Sequence, residues 1–403
     1  MAKIDTIYIG GSEGFEESKK TYNSGISFDL SFPSKISNVY FLKDDNWEIE
    51  VKEGLSLIIA RTKENLSPEE ILERGYLVCQ KFLDLMSVIK IMNNEIKSTA
   101  NSYIILYKEK NDYVLRIISK SQLLSSASAT MTIIRDGKEI PIPKKQDPKW
   151  ISAFRYYRLS RMSKNLYEAY SNLFLATEAL LSEIVPLNPG ERDKDWLKRA
   201  LNEIKAKINF SSCVPKNTPD PIDFFYNNLY DLRCHLSHAK VNRCILPFSE
   251  INISKIIENY EYLHKLWNEI TNLYYNIPKK DGSITNFGFK DGLNKLLKEG
   301  FEILALDDPN KPEISDKKAN PQNSPELNLP NTSLDNTTSE DSISVKGSSK
   351  KEDLKKFSHL HKFCLSAKGN LLMFNFYETG ITLEGIDKLE CCFSIQLKNN
   401  HLP

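Results

Sequence analysis

The chain has 403 residues, with 54 Lys and Arg against 53 Asp and Glu and an apolar fraction of 40%. Net charge near zero gives no sign of a basic nucleic-acid coat protein or an acidic tail, so any nucleic-acid contact must come from a local patch. The absence of a run of about 18 apolar residues predicts no membrane-spanning helix, and the start, MAKIDTIYIGG, lacks the apolar core of a secretory signal.

Taken in chain order, residues 1–145 read as strands with one helix. NVYFLKD, WEIEVKE and LSLIIAR are short β-rich runs separated by turn residues. The clear helix is Ser67–Lys90: Ser67 is suited to cap it, Pro68 takes its first position, and two glutamates sit at the positive end of its dipole. Strands resume at Tyr103–Glu109, Asp112–Ser119 and Ser128–Ile140, the last with an Asp136-Gly137 hairpin signal. A proline-studded joint, Pro141–Lys149, follows.

From residue 150 to 277 the pattern is helical, in four stretches with short connections; the first shows a break signal near Ser160–Lys164. Asp220 with Pro221 opens the third stretch. Residues 305–352 turn to Pro, Asn, Ser and Lys, a composition that predicts a disordered linker. Apolar strands return in 354–403, too short a piece to fold alone easily. The expected fold class is a multi-domain α+β protein: an N-terminal antiparallel-sheet module with one helix (1–145), an all-α four-helix bundle (150–277), a disordered linker (305–352) and a small β-rich C-terminal tail (354–403). The seven cysteines form no CxxC pair and predict free thiols in a cytoplasmic setting.

One segment of the third stretch concentrates chemistry: DLRCHLSHAK, Asp231–Lys240, holds an arginine and two of the six histidines. A metal-independent ribonuclease needs a group to move a proton and a cation for the charge that develops on phosphorus. A histidine titrating near neutrality can do the first, and a planar, permanently charged guanidinium the second. Arg233 and His238 are the candidates. At about 100° per residue they lie roughly 140° apart on an ideal helix, so they converge only at a loosened helix end or across a dimer. Asp231, His235 and His238 do share a face and form an alternative, metal-binding reading, with His264 as a further ligand only by elimination. The plain alternative is a solvated helix end whose polar side chains meet the last carbonyls.

Three further features bear on this site. Glu178 lies in the apolar run LFLATEALL, where a lone acid is costly unless paired; pairing with Arg233 would orient the site. The stretch RYYRLSR places Arg155, Tyr156, Arg158 and Arg161 in a basic-aromatic pattern suited to single-stranded RNA. His359–Cys364, HLHKFC, has metal-ligand composition without a supporting cluster.

The Leu229–Lys240 segment, with Glu168–Pro186 and Asn188–Ile204 upstream, resembles the HEPN domain family, whose mark is R-x4–6-H at a helix end. The resemblance covers residues 150–277 and is nearest to the group that carries a β-rich N-terminal domain. It implies a four-helix domain that dimerises and cuts RNA without metal or other cofactor, often as a toxin or anti-phage effector, with Arg233 and His238 catalytic; the residues themselves offer Asp231, His235 and Glu178 as supporting candidates. The partners expected on this basis are RNA and a second copy of the chain, with no membrane; the ligand or trigger of the N-terminal domain is left open. Many active members carry Asn, Asp or His directly after the arginine, where this chain has Cys234. Some members lack activity and bind instead, which keeps a non-catalytic binding or assembly role as the second expectation.

Overall fold

The computed structural model describes residues 2–10, 21–97, 102–123, 133–135, 138–140, 149–163, 165–237, 245, 253–277, 286–313, 316–330, 333–335 and 342–397. Along the chain these form β1 (Ala2–Ile4), β2 (Ile7–Gly10), β3 (Ser24–Asp29), β4 (Asn38–Leu42), β5 (Trp47–Val51), β6 (Leu57–Thr62), α1 (Pro68–Val88), β7 (Ser102–Glu109) and β8 (Asp112–Leu123). A small hairpin, β9 (Ile133–Arg135) and β10 (Lys138–Ile140), precedes α2 (Ser152–Met162), α3 (Leu166–Ile184), α4 (Asp193–Ile204), α5 (Pro221–Phe224), α6 (Asp231–Ser237) and α7 (Ile253–Tyr275). Then come α8 (Asn286–Lys298), β11 (Phe301–Leu306), β12 (Glu326–Asn328), β13 (Ser333–Asp335), β14 (Ser342–Lys350), α9 (Lys351–Leu354), β15 (His359–Ala367), β16 (Asn370–Thr382) and β17 (Lys388–Leu397).

The chain divides into two units. One combines Met1–Leu124 with Thr285–Leu397; the other holds Ser125–Ile284 and Lys398–Pro403. The first unit contains two large sheets. A six-stranded sheet runs β12-β11-β15-β16-β1-β2, and a nine-stranded sheet runs β13-β14-β17-β8-β7-β3-β6-β5-β4. Within both, neighbours pair antiparallel except β8 and β17, which run parallel over ten residue pairs from Val114–Lys388 to Leu123–Leu397. The inner faces of the two sheets share one core, with Ile4, Ile9, Ile59, Leu115, Ile303, Phe363, Leu389 and Phe393 all buried. On its other face the nine-stranded sheet packs Ile26, Phe28, Trp47, Ile49 and Ile58 against Val78, Phe82 and Met86 of α1. Period-2 alternation explains the division: Leu389, Cys391 and Phe393 of β17 face the shared core, while Cys392 packs against the α1 side.

This architecture corrects the expected fold class. Residues 354–403 do not form a marginal tail: β16 pairs with β1, and β17 pairs with both β14 and β8. Nor is 305–352 a disordered linker, because β12, β13 and β14 lie in it and belong to the two sheets. β14, SISVKGSSK, looks unstructured by composition. Its Ile343 and Val345 alone supply inward apolar side chains, and Ser344, Lys346 and Ser348 alternate with them on the other face. Among the described residues no all-α four-helix bundle is formed either. The first long stretch is two helices, α2 and α3, parted around Ser163–Asn165, and the third is broken into α5, a π-helical segment (Phe225–Tyr230) and α6.

α1 starts at Ser67, whose hydroxyl accepts from the Glu70 amide while the Glu70 carboxylate accepts from the Ser67 amide, a reciprocal cap. Its Gly75 permits close approach to the sheet. A methyl group there would run into Ile26, with Trp47 3.5 Å away. Gly75→Ala is therefore expected to lose about 1–3 kcal/mol by overpacking, more than the ~1 kcal/mol that alanine gains in helix propensity. Chemical denaturation would show this as a lowered midpoint; an unchanged or raised midpoint would mean that Ile26 yields. Among the described residues no helix is long and apolar enough to cross a membrane, and the six described cysteines are free thiols.

Candidate functional site on the helical unit

The helical unit is built around α3, which buries Tyr170, Leu173, Phe174, Leu180 and Leu181 against Leu197 and Leu201 of α4, Leu229 and Leu232, and Leu263 and Leu266 of α7. Asn165 caps α3 by accepting from the Glu168 amide at 2.9 Å. Asp220 caps α5 through the Ile222 amide, with Pro221 in the first turn, as its sequence position requires. The π-helical segment that follows widens the helix by one residue per turn. The Tyr170 hydroxyl donates to the Leu229 carbonyl at 2.8 Å, an off-helix partner for the widened turn.

α6 then presents Arg233. Its guanidinium carbon lies 6.0 Å from the Phe174 ring centre, within cation–π range. Its charge also acts on Glu178, one turn further along α3. Burial raises the Glu178 carboxyl above the usual carboxylate range, Arg233 pulls it back down, and Asp193 at the start of α4 pushes it up again. Glu178 borders a small, mainly apolar cavity with Thr177, Leu181, Leu197 and Leu201. Arg233 thus acts on Glu178 through its charge from the neighbouring helix, and no ion pair or hydrogen bond joins the two side chains among the described residues.

The other sequence-derived residues are distributed differently. His235 is exposed, and its carbonyl accepts from the Ile245 amide at 3.0 Å, so the returning chain satisfies one of the last carbonyls of α6. Asp231 is half-buried. His238 lies outside the described residues, one position past Ser237 at the end of α6. Among the described residues no group of three or more His, Cys, Asp or Glu comes together to hold a metal. Arg155, Tyr156 and Arg158 are exposed on α2, with Arg155 5.7 Å from the Trp150 ring. Arg161 turns partly inward, and its Nη1 is buried without a hydrogen-bond partner among the described residues. Tyr157 points the other way, stacking on Trp267 at 4.8 Å and bonding to His264 at 3.0 Å. His264 is buried and also bonds to Asn268, so its place is in a core network and not in a ligand set. His359 and His361 stand on β15 in the other unit; His361 bonds through Nδ1 to the Tyr377 carbonyl at 3.2 Å.

Family models, curated proteins and solved structures yield no match to the chain.

Sequence reasoning missed a cluster beside Arg233. Tyr226 and Tyr230 stack with ring centres 6.0 Å apart and planes 5° from parallel. The exposed Lys194 and Lys198 of α4 stand over Tyr226 at 4.5 and 5.6 Å. Burial raises the Tyr230 phenol first, then the neighbouring Cys234 thiol, while Arg233 lowers it. The signal was present as two i, i+4 pairs, Lys194/Lys198 and Tyr226/Tyr230, but only the packing of α4 against the widened helix unites them. The cluster offers cations and flat ring faces side by side, the combination that holds a phosphate backbone and a stacked base.

Proposed function

We propose that the helical unit binds single-stranded RNA and cleaves it without metal, in the cytoplasm, with Arg233 and His238 as the reacting pair. The observation that carries this reading is the placement of Arg233 beside the Tyr226–Tyr230–Lys194–Lys198 cluster, backed by Phe174 and the Glu178 carboxyl. The cluster would hold the strand, and Arg233 would face the scissile phosphate. The 2′-oxygen forms its bond to phosphorus as the bond to the 5′-oxygen breaks. Protonated His238 gives its proton to the leaving 5′-oxygen, and the 2′-hydroxyl proton passes to water. The guanidinium stabilises the added negative charge on the non-bridging oxygens. This reading keeps the R-x4-H chemistry of the sequence and does without a four-helix bundle.

Cleavage of a mixed-sequence RNA by the full chain in EDTA tests it. Arg233→Ala should slow cleavage by about 10²–10³-fold, and His238→Ala by about 10²-fold or more, with unchanged circular dichroism. Equal rates in all three proteins would end the catalytic reading. A second reading, RNA binding without cleavage, is favoured by one observation: the side chain after the arginine, Cys234, is engaged with Tyr230 one turn back. No cleavage by the wild type, together with salt-sensitive RNA binding that Lys194→Ala/Lys198→Ala weakens, would establish that alternative.

A further inference from the structure

The nine-stranded sheet ends at β4, and that edge differs from the other sheet edges. β12 and β13 are three-residue strands, and β2 is a four-residue strand buried at Ile7, Ile9 and Gly10. β4 spans five residues, Asn38–Leu42, without a charge or a proline, and exposes its three central side chains. Open edges are ordinarily blunted by short length, Lys, Pro or a bulge, because unpaired backbone groups recruit another strand. None of these devices is present within β4.

Its side chains point to both faces. Val39 and Phe41, 56% and 50% exposed, stand opposite Glu50 and Glu48 of β5 on one face. Tyr40 stands opposite Ile49 on the other face and meets Phe82 of α1 with ring centres 6.1 Å apart. On that side the end of α1 and its cap expose Leu85, Val88 (77%) and Ile89 (54%). With ~150–250 Å² for a large side chain, these six residues present roughly 500–600 Å² of apolar surface. That surface is divided between the two faces of the edge, with Val39 and Phe41 on one and Tyr40, Leu85, Val88 and Ile89 on the other.

We infer that β4 is a dimerisation edge whose occupant is β4 of a second copy of this chain, paired antiparallel across a two-fold axis normal to the sheet. Self-pairing of one strand is isologous and closes at two copies. The same axis puts both α1 helices on one face of the joined sheet, so Leu85, Val88 and Ile89 meet their counterparts under the seam. Complete burial in both copies would remove at most about 1,100 Å², close to the ~1,000 Å² that a specific interface needs. The inference concerns the sheet unit and does not depend on the nuclease reading.

Sedimentation of the full chain at micromolar concentration tests it. The wild type should run as a dimer, and Phe41→Glu and Val88→Lys should each weaken association by roughly 30-fold or more. Val88 is the more exposed site, so Val88→Lys decides the matter should Phe41→Glu perturb folding by circular dichroism. A monomeric wild type overturns the inference, leaving the edge to some other partner. A dimer that survives Val88→Lys overturns it as well.

Discussion

Glu390→Gln is expected to destabilise the sheet unit by about 2–4 kcal/mol at neutral pH. Glu390 is 2% exposed, on the α1 side of β17, and three cations converge on it: Arg116 at 2.7 Å, Lys388 at 2.9 Å and Lys346 at 3.2 Å. The Tyr107 hydroxyl donates to the same carboxylate and accepts from Arg116. The glutamine keeps the shape and removes the charge that compensates three cations. Breaking a buried pair typically costs 3–5 kcal/mol; here the cations are 20–40% exposed and recover some hydration, which lowers the figure. Burial alone would raise the Glu390 carboxyl, but the Lys388 hydrogen bond and the Arg116 and Lys346 charges bring it down to about 2. The folded value lies below the unfolded one of 4.5, so the contribution is complete above pH 4.5 and is lost as pH falls through about 2. A shift of that size corresponds to on the order of 3 kcal/mol. The stability gap between wild type and Glu390→Gln should therefore narrow steadily from pH 5 to pH 2, in urea titrations at each pH. A gap independent of pH would show that packing, not charge, sets the loss.

Lys362→Met should cost about 3–5 kcal/mol, because it leaves a buried carboxylate alone. Lys362 on β15 and Asp308 just past β11 form an ion pair with side chains 3% and 1% exposed. Asp308 also accepts from the amide and the side chain of Asn310, at 3.0 and 2.9 Å. Burial works to raise the Asp308 carboxyl; the Lys362 and Asn310 hydrogen bonds outweigh it and hold the carboxyl low. Adding Asp308→Asn to Lys362→Met removes the orphaned charge while keeping an acceptor for Asn310. The double variant should regain about 1–3 kcal/mol over the single one. A double variant no more stable than Lys362→Met would place the cost in packing rather than in the uncompensated charge.

Much of the local structure was legible in the sequence. Ser67, Pro68 and the two following glutamates mark the start of α1, and short β-rich apolar runs mark β5, β7, β8 and β17. β14 was not legible, because a strand that needs only Ile343 and Val345 inside can otherwise be Ser, Gly and Lys. The candidate site divides in the same way. Arg233 stood out by residue type, and Glu178 by being an acid in an apolar run. Tyr226, Tyr230, Lys194 and Lys198 did not, since spacing reports which side chains share a helix face and not which helix they meet.

The amino-acid sequence by itself determined where helices start, which faces of the strands are apolar, and that Arg233 and His238 lie five residues apart near a helix end. These depend on backbone sterics, capping and periodicity, which act within a few residues. The tertiary structure decided that β16 joins β1, that β17 lies parallel to β8, and that Lys194 and Lys198 stand over Tyr226. Partners separated by hundreds of residues are selected by the shape and burial of whole faces, and apolar alternation is much the same in every strand that could compete for the place.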